Sequence, residues 1–163
     1  MKHFFFFFFI LTLESNAQWI QINSGNTNNL YDIHFPSSST GYAVGYGGTI
    51  LHSYDTGNTW QPIASPKNLD WHSVHFLNED TGFIGGDSSY FFRTYNGGNS
   101  WSAISSPQEG IFRNIFFTDN LNGFAGGGNF GETIILKTND GGVSWNPSTV
   151  DTLADRPVTS IYF

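Results

Sequence analysis

Two histidines three residues apart, His72 and His75, have the look of a metal-binding pair. Both fall in an apolar run with the spacing of a β-strand, where residues three apart point to opposite faces and cannot share one ion. His75 also occupies a slot filled elsewhere by His34, Phe116 and Tyr162, which suits packing of flat rings. The other residues able to do chemistry are scattered: Asp70, Glu79, Asp80, Asp87, Glu109, Arg113, Glu132, Asp151, Asp155 and Arg156. Glycoside chemistry of the sialidase kind needs an arginine cluster on a carboxylate, with a Tyr nucleophile and its Glu partner. Arg93, Arg113 and Arg156 are the only arginines, and Arg93 sits in a repeating slot with His52 and Lys137. No catalytic set assembles. The slot of His52, Arg93 and Lys137 reads as solvent-facing strand ends.

What the chain does have is a beat. Trp19, Trp60, Trp101 and Trp145 are separated by 41, 41 and 44 residues, and one phrase recurs before the last three. It carries Ser53, Asp55, Gly57 and Trp60, then Thr94, Asn96, Gly98 and Trp101, then Thr138, Asp140, Gly142 and Trp145. Ile33-His34-Phe35, Val74-His75-Phe76, Ile115-Phe116-Phe117 and Ile161-Tyr162-Phe163 keep the same register. So do Thr40-Gly41-Tyr42, Thr81-Gly82-Phe83 and Asn122-Gly123-Phe124. Three phrases in one register define a repeat, and each unit divides into four short Gly-punctuated strands with no helical period.

In the second unit the strands are expected at Trp71 to Leu77, Gly82 to Gly86, Tyr90 to Thr94 and Ser100 to Ile104. Val74 and Phe76 are expected on one face and Trp71 on the other. The longer third unit places its extra residues around Gly126 to Gly131, read as a longer turn. Repeats of this length and strand number predict an all-β fold, a β-propeller of four-stranded blades. The blades fall at about 30–65, 71–107 and 112–150, with the start of a fourth at 158–163. A lone outer strand at Trp19 to Ile22 precedes them. Since propellers close with about 4–8 blades, the propeller is expected to be incomplete here, with blades missing.

In each phrase a short polar side chain at Asp55, Asn96 or Asp140 can accept hydrogen bonds from turn amides. Gly57, Gly98 and Gly142 supply positive φ. The Trp plugs the blade, and its truncation should cost about 3–5 kcal/mol. Asn96 stands where the others have Asp, so an acceptor suffices without a charge, which argues against calcium. These residues are expected to be structural. No cofactor or metal is expected.

Residues 1–17 form a distinct leader. Lys2 and His3 precede an unbroken apolar run from Phe4 to Leu11, extended by Thr12 and Leu13, then Ser15 and Ala17 at the −3 and −1 places of a cleavage site. That is the layout of a secretory signal peptide, too short to span a bilayer. Export is expected, with residues 18–163 as the mature domain and no membrane insertion. Net charge is −7 at pH 7, which loss of Lys2 together with Glu14 leaves unchanged. Nucleic acid and anionic membranes are therefore disfavoured as partners. No Cys is present.

The recurring phrase resembles the Asp-box, or BNR repeat. With the leader and the 41-residue beat, residues 18–163 resemble the photosystem II assembly and stability factor type of propeller. The resemblance implies a non-catalytic scaffold outside the cytoplasm that binds a protein or glycan ligand, here outside a photosynthetic context. It also implies an arginine patch, which three arginines do not make. The alternative is a fragment of an Asp-box hydrolase, sialidase- or endo-glucanase-like, with its catalytic residues beyond Phe163.

Overall fold

The computed structural model describes residues 20–129, 132–148 and 158–160. Twelve strands form three antiparallel four-stranded sheets. The first holds β1 (Leu30–His34), β2 (Gly41–Gly45), β3 (Ile50–Ser53) and β4 (Gln61–Pro62). The second holds β5 (Trp71–Phe76), β6 (Gly82–Gly86), β7 (Phe91–Thr94) and β8 (Ser102–Ala103). The third holds β9 (Phe112–Phe117), β10 (Gly123–Asn129), β11 (Glu132–Thr138) and β12 (Asn146–Pro147). Each sheet is a meander in chain order, and the described residues contain no α-helix beyond a single 3-10 turn at Tyr46–Gly48. These are propeller blades, as the repeat predicts.

The first strands of successive blades lie side by side at the centre, and the two-residue fourth strands are exposed at the rim. The core is two seams between sheets. Tyr42, Val44 and Ile50 of the first blade pack on Trp71, Val74, Phe76 and Ile84 of the second. Phe83 and Phe91 of the second pack on Phe112, Ile115, Phe117 and Trp145 of the third. β2 and β6 are buried at every position, and in the middle blade, whose two faces are both covered, alternation of polar and apolar residues disappears.

Side chains also cross the seams. Asp32 Oδ2 accepts from Val74 N (2.9 Å) and Ser73 Oγ (3.1 Å), and Ser73 Oγ in turn accepts from Ile115 N (2.9 Å). One inner-strand position thus ties each blade to the amide of the next.

Three expectations need correction. Trp71 does not face away from Val74 and Phe76: β5 carries a β-bulge between Trp71 and Ser73, and the extra residue, His72, returns Trp71 to the face of Val74. Gly126 to Gly128 do not form a turn. They extend the hairpin as strand, with pairing continuing to Asn129↔Glu132. Glycine is required there for close approach, since a Cβ on Gly127 would stand 1.8 Å from the Ile111 carbonyl oxygen. His52 is not solvent-facing; it is buried, with its ring stacked on Tyr42 (4.3 Å) and met at a tilt by Tyr54 (3.9 Å).

The leader at 1–17 and Trp19 lie outside the described residues, as do Ile161, Tyr162 and Phe163. Ile20 to Ile22, expected as part of an outer strand, are exposed and unpaired with any sheet among the described residues. Residues 158–160 are not strand, although Val158 N donates to the Gly127 carbonyl oxygen (2.9 Å).

Candidate functional site

Each Asp-box hairpin joins the third and fourth strands of its blade and closes on itself. In the first, Asp55 Oδ1 accepts from Thr59 N (2.8 Å) and from Ser53 Oγ (2.9 Å), while Ser53 Oγ accepts from Gly57 N (3.0 Å). In the third, Asp140 Oδ1 accepts from Ser144 N (3.0 Å) and Thr138 Oγ1 (2.8 Å), and Thr138 Oγ1 accepts from Gly142 N (2.9 Å). In the second, Asn96 Oδ1 takes the same two bonds from Ser100 N (2.9 Å) and Thr94 Oγ1 (3.0 Å). Its Nδ2 donates to Ser100 Oγ (2.9 Å), where Asp55 accepts from Thr59 Oγ1 (2.7 Å). The serine hydroxyl simply reverses its role, which is why an amide replaces a carboxylate without loss of shape. These bonds hold Asp140 down to about 2, below the ordinary carboxylate range, chiefly through Ser144.

The box glycines sit at φ of +82, +82 and +76. Trp60 Nε1 donates to the Gly57 carbonyl oxygen (2.9 Å) and Trp145 Nε1 to that of Gly142 (3.2 Å). Trp145 is buried, whereas Trp60 and Trp101 are half-buried. Trp101 Nε1 is buried without a partner. The box residues serve hairpin closure and packing, and Thr138 also lines a surface depression with Lys137, Asn139 and Asn146.

Chemistry of another kind gathers where the inner strands begin. All three bear a one-residue bulge there, and the extra residues are Tyr31, His72 and Arg113. A bulge re-aims its side chain out of the sheet's alternation. Tyr31 stacks on His72 with ring centroids 5.3 Å apart. His72 Nε2 pairs with Asp87 Oδ1 at 2.8 Å, and Asp70 accepts from Gly47 N at 2.9 Å. The residues flanking each bulge keep their type from blade to blade, with Leu30, Trp71 and Phe112 before and Asp32, Ser73 and Asn114 after. The bulged position itself passes from a phenol to an imidazole to a guanidinium. The spacing of Trp71, Val74 and Phe76, three then two, is the sequence signal for the bulge, and it recurs at Leu30, Ile33, Phe35 and at Phe112, Ile115, Phe117.

His72 and His75 are held apart. His75 stacks on His34 (4.4 Å) and Phe117 (5.4 Å), and burial pushes it down to about 4. Of the scattered acids, Glu79 accepts from Ser37 Oγ (2.7 Å) and Thr40 Oγ1 (3.0 Å) at a blade seam, which lowers its pKa. Asp151, Asp155 and Arg156 lie outside the described residues. Among the described residues no three acids or histidines converge on a point where a metal would sit.

A family model described as photosynthesis system II assembly factor YCF48 matches residues 11–109. The chain belongs to this family. Of solved structures, YCF48 bound to D1 peptide is 28% identical, with a TM-score of 0.64 over 78% of this chain and 41% of that one. YCF48 from Cyanidioschyzon merolae is 25% identical, with a TM-score of 0.68 over 86% of this chain and 47% of that one. The chain thus spans under half the length of either YCF48. An ancestral GH74 enzyme shares the fold, at 18% identity and a TM-score of 0.60 over 77% of this chain and 19% of that one. No curated protein matches.

Proposed function

We propose that the chain is a non-catalytic scaffold of the YCF48 kind that binds a segment of another protein, outside the cytoplasm. The observation that carries this reading is the likeness to YCF48 bound to D1 peptide, which covers most of this chain. The site supports it: polar and aromatic groups at the inner-strand bulges are spread along a row, as recognition of an extended segment needs, and do not converge on one reacting atom. The GH74 likeness, at 18% identity, concerns the fold alone. Export rests on the leader at 1–17, with Gln18 as the first mature residue.

An array of 15-residue peptides probed with the chain tests the first part, with hits titrated by fluorescence anisotropy and chromogenic glycosides incubated in parallel. Saturable peptide binding without glycoside turnover supports the scaffold; turnover overturns it. N-terminal sequencing of exported material tests the second, and retention of residues 1–17 on a cytoplasmic product overturns it.

A further inference from the structure

The three bulged residues have counterparts fifteen positions on, at or just past the end of the second strand: Tyr46 for Tyr31, Asp87 for His72 and Gly128 for Arg113. In the second blade the two positions are joined by the His72–Asp87 pair at 2.8 Å. In the third blade the carboxylate is missing, and the backbone forbids one. Gly128 lies at φ +128, and a Cβ there would stand 2.0 Å from the Glu132 carbonyl oxygen.

Among the described residues nothing else replaces it. Arg113 is half-buried, its Nε is buried with no hydrogen-bond partner, and among the described residues no carboxylate lies within ion-pair distance of it. Arg93 shows what a structural arginine looks like in this protein. Its Nε is also unpaired, but its Nη1 donates to the Gly142 carbonyl oxygen (3.0 Å) and its guanidinium covers Tyr95 (4.4 Å). A half-buried guanidinium left unpaired among the described residues, in a chain with 13 acids against 6 Lys and Arg, is a cost that those residues do not offset.

We propose that Arg113 receives a carboxylate from a bound partner, in the place Asp87 holds beside His72. A planar guanidinium takes a carboxylate through two parallel N–H···O bonds, so the site selects for that group over a single-point acceptor. The carboxylate comes from an Asp or Glu side chain or from a chain terminus. The protein nature of the partner rests on the scaffold reading above; the carboxylate preference of Arg113 does not.

The test uses the whole 15N-labelled chain. Its arginines are Arg93, Arg113 and Arg156, so few Nε–Hε resonances need assignment, and R113Q identifies the one of interest. The chain is titrated with acetate, with inorganic phosphate, with an amidated peptide bearing one Glu, and with a peptide lacking acidic side chains but ending in a free carboxylate. The Arg113 signal should shift saturably with acetate and with one of the peptides, and the peptide that moves it names the source. R113K, which keeps the charge without the fork, should weaken that binding on the order of tenfold. An Arg113 signal unmoved by acetate and by both peptides overturns the proposal, as does tighter binding of phosphate than of acetate. If peptides from the array bind R113Q as well as the parent chain, the site fails while the scaffold stands. If acetate shifts Arg113 but no peptide binds anywhere, the site stands and the scaffold fails.

Discussion

The ring of Tyr42 in the first blade lies flat on Phe76 of the second, with centroids 3.6 Å apart and planes 7° from parallel. Its hydroxyl donates to the Glu79 carbonyl oxygen (3.0 Å), so one side chain fastens the seam by stacking and by a hydrogen bond. The next seam repeats the stack as Phe83 on Phe117, at 5.0 Å, without the hydroxyl. Tyr42→Phe should therefore keep the stack and lose about 1 kcal/mol. Phe83→Ala should cost about 3–5 kcal/mol. Chemical denaturation monitored by circular dichroism distinguishes the two, and equal losses would show that stacking is not the main fastening.

The box tryptophans differ in burial although their hairpins match. Trp145 packs against Phe83, Phe91 and Phe117, while Trp60 meets Phe35, itself exposed. Trp145→Ala should cost about 3–5 kcal/mol, and Trp60→Ala about 2 kcal/mol, in line with its smaller buried area. The order of the two melting temperatures checks this.

His75 contributes acid sensitivity. Its folded pKa of about 4 lies below the ordinary 6.5, so the fold favours the neutral ring. Its share of stability is fully present above about pH 6.5 and is lost as pH falls from there towards 4. His75→Phe, which copies Phe116 in the next blade, should flatten the melting-temperature profile in that window. The residual slope there belongs to His34 and His52, both also lowered by burial.

Asp140 acts lower on the scale. Its pKa falls from 3.8 to about 2 on folding, so its contribution is complete above about pH 4 and disappears between 4 and 2. Asp140→Asn should hold the hairpin as Asn96 does and remove that acid-dependent loss. Thermal melts of both proteins at pH 2, 3 and 5 give the comparison. A D140N chain that still loses stability equally between pH 4 and 2 contradicts it.

Thr56 is strained. It sits at φ +61, where the corresponding residues of the other boxes are Gly97 at +64 and Gly141 at +70. A β-branched residue is an outlier in the left-handed region. Thr56→Gly should raise stability by about 1 kcal/mol, read as an increase in melting temperature.

The blades and boxes were legible in the sequence because a propeller writes the same physical problem at each repeat, and the second strand of the second blade falls at Gly82–Gly86 as expected. The fourth strand is shorter than expected, Ser102–Ala103, because Ser100 N is already spent on Asn96 in the hairpin. The bulges are less legible, since an apolar spacing of three then two reads equally as a change of face, and with them goes the row of Tyr31, His72 and Arg113. The sequence marks Arg113 only as a residue that breaks the repeat; that Gly128 leaves no room for a side chain beside it is visible only once the two strands are paired. His52 was misplaced because it shares a slot with Arg93 and Lys137, and the two tyrosines that enclose it come from positions 42 and 54.

The side-chain hydrogen bonds that close an Asp-box run between residues no more than four apart, within Ser53 to Thr59 or Thr138 to Ser144. Such a clasp travels inside any stretch of gene that encodes it. A copied unit brings its own corner ready-made and asks of the unit beside it a flat greasy flank and an amide for its inner-strand acceptor, so proteins of this kind can lengthen by duplication without redesigning a single bend.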